Sequence, residues 1–206
     1  MHVSVVDYGI GNIQSVVNAC QRAGSEPSIV RDSDELLAHA AKCIIMPGVG
    51  AVGAALASLR ERGLEDALNT QVQQLGIPFL GICVGMQVLA ETCEEFGEHR
   101  GLGWIPGSVR QLPRVPEELK LPHMGWNTIE TCTPDDTLLR DVDGKNVYFA
   151  HSYMMDCPDQ FVLARTQYGN SRFTSAVRCK HIAGVQFHPE KSAFQGNAIL
   201  RAFLFG

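Results

Sequence analysis

Cys83 lies in Gly81-Ile82-Cys83-Val84-Gly85, at the end of the apolar run PFLGI (78–82). The form is G-x-C-x-G. With serine in the central place it is the nucleophile elbow, a sharp strand-to-helix turn whose flanking glycines avoid clashes. Such a turn would expose the Cys83 sulfur at a helix N-terminus, where the dipole favours thiolate. The Val84 N–H would be free to stabilise an oxyanion. A nucleophilic cysteine needs a base. Among the seven histidines, His2, His39, His99 and His181 sit in polar stretches that read as surface, whereas His188 closes the long run IAGVQFHPE. Pro189 biases His188 towards extended geometry. In an extended chain residues i and i+2 project to the same side. Glu190 can therefore accept a ring N–H from His188, fix its tautomer and stabilise the imidazolium. Taken singly, G-x-C-x-G also fits an inert core turn, and HPE fits a strand-end histidine beside a solvated glutamate. Together they specify nucleophilic catalysis.

Residues so far apart in sequence need a scaffold. The first half alternates: strands at 2–8, 27–31, 42–48 and 78–82, and helices at 11–23, after Asp32, at 56–75 and at 84–93. Asp32-Ser33-Asp34-Glu35 forms a capping box, and the helix at 56–75 divides near Gly63. This order predicts an α/β fold, an open, mixed, mostly parallel sheet with helices on both faces. The continuous apolar strands fit burial on both sides. Ligands bind at the carboxyl ends of such strands, where Pro47-Gly48-Val49-Gly50 and the Cys83 turn both fall. Strand-like runs at 107–112, 126–130, 145–153, 161–167 and 172–190 predict antiparallel additions to the sheet. A final helix follows at 192–205, with Ser192 as N-cap. The Pro- and Glu-rich loop at 113–122 is too short for a domain linker, so residues 1–206 read as one domain.

The chain has 206 residues, 45% apolar and 19% charged, with a net charge of −5. Neither a basic surface for nucleic acid nor an apolar run of membrane-spanning length is present. The N-terminus lacks the pattern of a signal peptide. A cytoplasmic protein that binds neither nucleic acid nor membrane is expected. The cysteines at 20, 43, 83, 93, 132, 157 and 179 are odd in number, widely spaced and without CxxC. That pattern argues against a disulfide framework or a zinc ribbon. Apart from Cys83 they read as buried thiols.

GICVGMQ together with HPE resembles the triad-type (class I) glutamine amidotransferases. DYGIGN (7–12), PGVG (47–50), GLGWIPG (101–107), PHMGWN (122–127), YFAHSY (148–153) and GVQFHPEKS (184–192) extend the likeness over nearly the whole chain. These blocks, in this order, are similar to those of the glutaminase subunits of imidazole glycerol phosphate synthase. The resemblance implies a flavodoxin-like class I glutamine amidotransferase fold. It implies that Cys83 attacks the side-chain amide of L-glutamine, with His188 as base and acid and Glu190 orienting it. It assigns the oxyanion hole to Val84 and the Val49-Gly50 peptide, and substrate binding to Gly50, Gln87, Ser152 and Tyr153. Asn12, Met124, Trp126, Tyr148 and Lys191 match positions at the face that docks a (β/α)8 barrel cyclase. That partner forms a heterodimer and uses the ammonia to make imidazole glycerol phosphate and aminoimidazole carboxamide ribotide for histidine biosynthesis. No cofactor or metal is implied. Paralogues of this subunit feed ammonia to other synthases, such as those forming amidino sugars. A cysteine hydrolase would often place histidine directly after the nucleophile, where this chain has Val84. An inactive regulatory subunit would not retain the complete Cys83, His188 and Glu190 set.

Overall fold

A computed structural model of the chain describes residues 1–113 and 120–206. Most of the predicted Pro- and Glu-rich loop lies outside the described residues. The first half alternates as the pattern predicts. Strand β1 (His2–Val6) leads to helix α1 (Ile13–Arg22), β2 (Glu26–Val30), α2 (Ser33–Ala38) and β3 (Cys43–Gly48). Helices α3 (Val52–Glu61) and α4 (Leu64–Leu68) follow, then a π-helical turn over Asn69–Gln74, β4 (Phe79–Cys83) and α5 (Val84–Gln87). Strands β3 and β4 are buried at every residue. Each large apolar side chain they bury contributes about 1.5–3 kcal/mol. The α2 cap forms as read, with the Glu35 N–H donating to Asp32 Oδ1 at 2.9 Å. The Glu35 carboxylate reaches back to the Arg31 N–H at 2.7 Å. Gly63, at φ 65°, divides α3 from α4.

The second half contains β5 (Thr92–Cys93), β6 (His99–Arg100), β7 (Ser108–Gln111), β8 (His123–Thr128), β9 (Glu130–Thr131), β10 (Asn146–His151) and β11 (Tyr153–Asp156). It ends in β12 (Val162–Tyr168), β13 (Ser171–Cys179), β14 (Ile182–Val185) and α6 (Ala193–Phe205). The main sheet runs β2-β1-β3-β4-β14-β13-β12-β9. Its first five strands are parallel neighbours, and β13, β12 and β9 extend it antiparallel. Helix α1 packs with α6, while α4 packs with α2 and α3.

Five expectations change, the first being that β14, expected as an antiparallel addition, runs parallel to β4. The runs at 107–112 and 145–153, and most of that at 126–130, do not join the main sheet. They build a ribbon β10-β8 and a second sheet β11-β7-β5-β6. The chain switches partners at Ser152, so the predicted strand 145–153 is two strands in two sheets. The helix expected at 84–93 lasts only one turn. Carbonyls that would continue it are taken from outside: Val88 O by the Leu102 N–H (2.8 Å), Leu89 O by Trp104 (2.9 Å) and Ala90 O by Gly103 (3.0 Å). Helix α3 begins at Val52 rather than Leu56, because the Glu95 carboxylate accepts the Val52 N–H at 2.7 Å and places negative charge at the helix start.

Tyr8 follows β1 and is buried, yet its hydroxyl has no hydrogen-bond partner among the described residues. A Cβ on Gly48 would stand 2.1 Å from that oxygen, so the PGVG turn needs glycine there. An unpartnered buried hydroxyl costs about 1–3 kcal/mol. Tyr8→Phe is therefore expected to raise Tm by about 2–12 °C, as a thermal melt would show. A fall in Tm would mean that the hydroxyl is satisfied after all.

Candidate active site

Parallel pairing brings the distant halves of the site together. In β14, Val185 pairs with Ile82 of β4, so the chain leaves β14 beside the Cys83 turn. Cys83 has φ 55° and ψ −109°, a strained elbow. The flanking glycines are required by close approach. A Cβ on Gly81 would stand 2.2 Å from Gly85 O, and one on Gly85 would stand 1.9 Å from Met46 O.

His188 is 2% exposed and its Nδ1 lies 2.7 Å from Glu190 Oε1. The Glu190 side chain is itself 3% exposed. With Nδ1–H donated to the carboxylate, Nε2 is left for the Cys83 sulfur. Burial lowers the His188 pKa, but hydrogen bonds to Cys83 and Glu190, with the negative charge of both, outweigh it and hold it at about 10. The expected helix dipole behind Cys83 is weak, since α5 has only four residues.

Gly50, Cys83, Val84, Gln87, Ser152 and Tyr153 line one small cavity of about 40 Å³, with Glu95, Ala150 and His151. The Val84 N–H opens α5 and has no intrahelical acceptor. Gly50 has φ 77°, open to glycine, while Val49 is exposed and does not line the cavity. Gln87 is buried and already engaged: its Nε2 donates to Tyr153 O at 3.1 Å and to Gln186 Oε1 at 3.0 Å. Its own carbonyl oxygen is the atom left for a substrate ammonium group. A larger hollow of about 520 Å³ lies along α6, bordered by Phe194, Arg201 and Phe205, with none of the candidate site residues in its wall. Chemistry, not size, picks out the Cys83 cavity.

Of the predicted docking residues, Met124, Trp126 and Tyr148 lie on the ribbon, Lys191 in the turn after His188 and Asn12 at the start of α1. Met124 and Trp126 alternate on one face of β8 and are 64% and 53% exposed. Trp126 pairs across the ribbon with Tyr148, ring centroids 6.2 Å apart, and Lys191 Nζ stands 5.6 Å from the Tyr148 ring centre. Asn12 is the N-cap of α1, beside Gly11, whose α-carbon region faces Pro47 and Gly48. The ribbon is tied to the triad through backbone: the His188 N–H donates to Tyr148 O at 2.8 Å, and the Tyr148 N–H donates to Ser192 Oγ at 2.9 Å. Ser192 precedes α6 as predicted, but its hydroxyl donates to His188 O at 2.6 Å instead of capping the helix.

Sequence reasoning missed Gln186, His123 and His151. Gln186 Nε2 donates to Cys83 Sγ at 3.6 Å. It stands two residues before His188, so the i, i+2 rule that found Glu190 points to it equally. His123 and His151 are both buried, where the surrounding blocks gave no sign of a histidine pair. Of the other cysteines, Cys20, Cys43 and Cys93 are buried as expected, with burial the main cause of pKa values raised to about 12. Cys157 and Cys179 are half-buried, and Cys132 is exposed, contrary to expectation. His39, His99 and His181 are half-buried rather than open surface. Among the described residues no group of three or more His, Cys, Asp or Glu is placed to hold a metal, and no helix is long and apolar enough to cross a membrane.

Comparison with known proteins agrees with this geometry. The profile of the family "Glutamine amidotransferase class-I" matches residues 4–206. The imidazole glycerol phosphate synthase subunit HisH of Methanopyrus kandleri is 44% identical, covering 100% of this chain and 98% of that one. The HisH subunit of Lactococcus lactis is 42% identical, covering 98% and 97%. A solved glutamine amidotransferase shares the fold at TM-score 0.75 and 22% identity, covering 98% of this chain and 96% of that one. The chain belongs to the class I glutamine amidotransferase family, alongside the HisH subunits of imidazole glycerol phosphate synthase.

Proposed function

We propose that this chain is the glutaminase subunit of an imidazole glycerol phosphate synthase. It would hydrolyse L-glutamine to glutamate and deliver ammonia to a (β/α)8 barrel cyclase, which forms imidazole glycerol phosphate and aminoimidazole carboxamide ribotide. A cytoplasmic site of action goes with that reading. The observation that carries the chemistry is the convergence of Cys83, His188 and Glu190 at the carboxyl ends of the neighbouring strands β4 and β14. The full-length likeness to HisH subunits supports the pathway.

The Cys83 sulfur attacks the side-chain carbonyl carbon of glutamine. The carbonyl oxygen becomes an oxyanion, received by the N–H of Val84 and of the Val49-Gly50 peptide. His188 gives its proton to the leaving nitrogen as the C–N bond breaks, and ammonia departs. A water, deprotonated by His188, then cleaves the thioester. The sulfur leaves, and glutamate is released. Glu190 holds Nδ1–H throughout, which keeps Nε2 facing the sulfur.

Ammonia released into bulk water would be protonated and lost to the synthase. A docked partner prevents this, and Asn12, Met124, Trp126, Tyr148 and Lys191 form the face offered to it. The test is ammonia release from glutamine with and without the barrel subunit and its nucleotide ligand. Low activity alone and strong stimulation by the ligated partner are expected. No ammonia under any of these conditions would overturn the reading. Failure to restore growth to a histidine auxotroph would overturn the pathway alone. Trp126→Ala should weaken partner binding by about 2 kcal/mol, the scale of an aromatic hot spot, in a calorimetric titration. Unchanged affinity would remove Trp126 from the interface.

A further inference from the structure

We propose that Gln186 is a further active-site residue whose side-chain N–H holds the Cys83 sulfur, aimed by a polar string reaching back through Gln87 and the His151–His123 pair to Asn127 on β8. The proposal rests on Cys83 being the nucleophile of the reading above.

Gln186 is 0% exposed. A buried amide is costly unless both its ends are bonded, and here both are. Its Oε1 accepts from Gln87 Nε2 at 3.0 Å, and its Nε2 donates to Cys83 Sγ at 3.6 Å. The direction of the string is fixed by one backbone carbonyl. Tyr153 O can only accept, and it receives both Gln87 Nε2 at 3.1 Å and His151 Nδ1 at 2.8 Å. Turning the Gln186 amide round would set two NH₂ groups face to face and an oxygen against the sulfur. The same logic runs the other way. With Nδ1–H given to Tyr153 O, a neutral His151 offers Nε2 as acceptor to His123 Nδ1, 3.3 Å away. His123 Nε2 then accepts from Asn127 Nδ2 at 3.3 Å, and that nitrogen also donates to Gln167 O at 2.9 Å. Every donor meets an acceptor only while both histidines are neutral. Burial supports this, lowering His151 to about 3 and His123 to about 4.

The string begins on the buried side of β8, opposite the exposed Met124 and Trp126, and ends on the nucleophile. Its chemical effect falls on the sulfur. The Gln186 N–H stabilises a negative sulfur before attack, and again as leaving group when water cleaves the thioester. His151 lines the cavity but is hydrogen-bonded to Tyr153 O and His123 and not to the sulfur, so both histidines act as positioning residues.

The test uses iodoacetamide labelling of Cys83, read by peptide mass, beside steady-state glutaminase kinetics. Gln186→Met keeps the volume and removes the donor. Its labelling rate at neutral pH should fall about tenfold, the scale of a charge-assisted hydrogen bond. Its labelling profile should move to higher pH, and kcat should fall more than KM changes. His123→Phe keeps the packing against Phe149 and Tyr168 but leaves His151 Nε2 without its donor. It should slow labelling a few-fold, and His123→Asn, whose amide nitrogen stands in for Nδ1, should restore it. If Gln186→Met fails to fold, the His123 pair decides the matter alone. Wild-type labelling in Gln186→Met at every pH, or equal rates in the two His123 variants, overturns the proposal. Full turnover in a Cys83→Ala variant would instead overturn the nucleophile reading.

Discussion

Cys83→Ala is expected to lower glutamine hydrolysis by about 10⁴-fold or more, because removing the nucleophile from a set that acts as a unit removes nearly all of its catalysis. No other thiol can substitute. Cys93 is spatially close, with its sulfur 3.6 Å from Gln87 O. However, burial, helped by the charge of Glu95, raises its pKa to about 12, so it stays a thiol at neutral pH. The fold should survive, since Cys83 contributes little besides its sulfur. A parallel variant separates chemistry from strain. Cys83→Gly should be equally inactive, yet more stable, because glycine adopts φ 55° without penalty. Relief of such strain is worth about 1–3 kcal/mol, or a rise in Tm of about 2–12 °C. Coupled ammonia assays and thermal melts of the two variants would check both claims. Turnover above one per cent of wild type in Cys83→Ala would sink the mechanism.

Gly85→Ala should cost more stability than any surface change in the chain. The new methyl would stand 1.9 Å from Met46 O, a backbone atom in the fully buried strand β3. Neither partner can give way cheaply. Met46 is paired with Gly81 in the central sheet, and Gly85 is fixed by the elbow. Overpacking of this kind costs about 3 kcal/mol or more. For a chain of this size that lowers Tm by about 6–12 °C. Any relaxation that spares the fold would move the Val84 amide and the sulfur together, so activity should fall as well. A melt within 2 °C of wild type would show that the elbow has slack.

Alternation of apolar runs with amphipathic segments was enough to read β1 to β4 and α1, because β1, β3 and β4 are buried on both faces and α1 shows one apolar stripe, while α2 was announced by its capping box. G-x-C-x-G and HPE were enough to single out Cys83, His188 and Glu190 as candidates, although Glu190 reaches His188 from a 3-10 turn over Pro189–Lys191 and not along a strand. The rest depended on contacts between distant segments. Nothing local announces that residues 102–104 will take the carbonyls of Val88, Leu89 and Ala90 and stop α5 after one turn. Nothing local separates strands that join the main sheet from those that form the β8–β10 ribbon. Gln186 was within reach of the rule already applied to Glu190. The His123–His151 pair was not, since its partners are set by the register of two strands far apart in sequence.

The cavity at Cys83 measures about 40 Å³, room for a few waters and not for a whole amino acid. Where glutamine needs more room than this, a wall must part, and its apparent dissociation constant is then the intrinsic one divided by the fraction of open molecules. By linkage, whatever favours the open form tightens glutamine binding, and bound glutamine favours that effector in return. An isolated subunit is then a poor sink for a nutrient that many syntheses share. A wall that parts chiefly when an effector is bound would limit waste before any chemistry at the sulfur is called on.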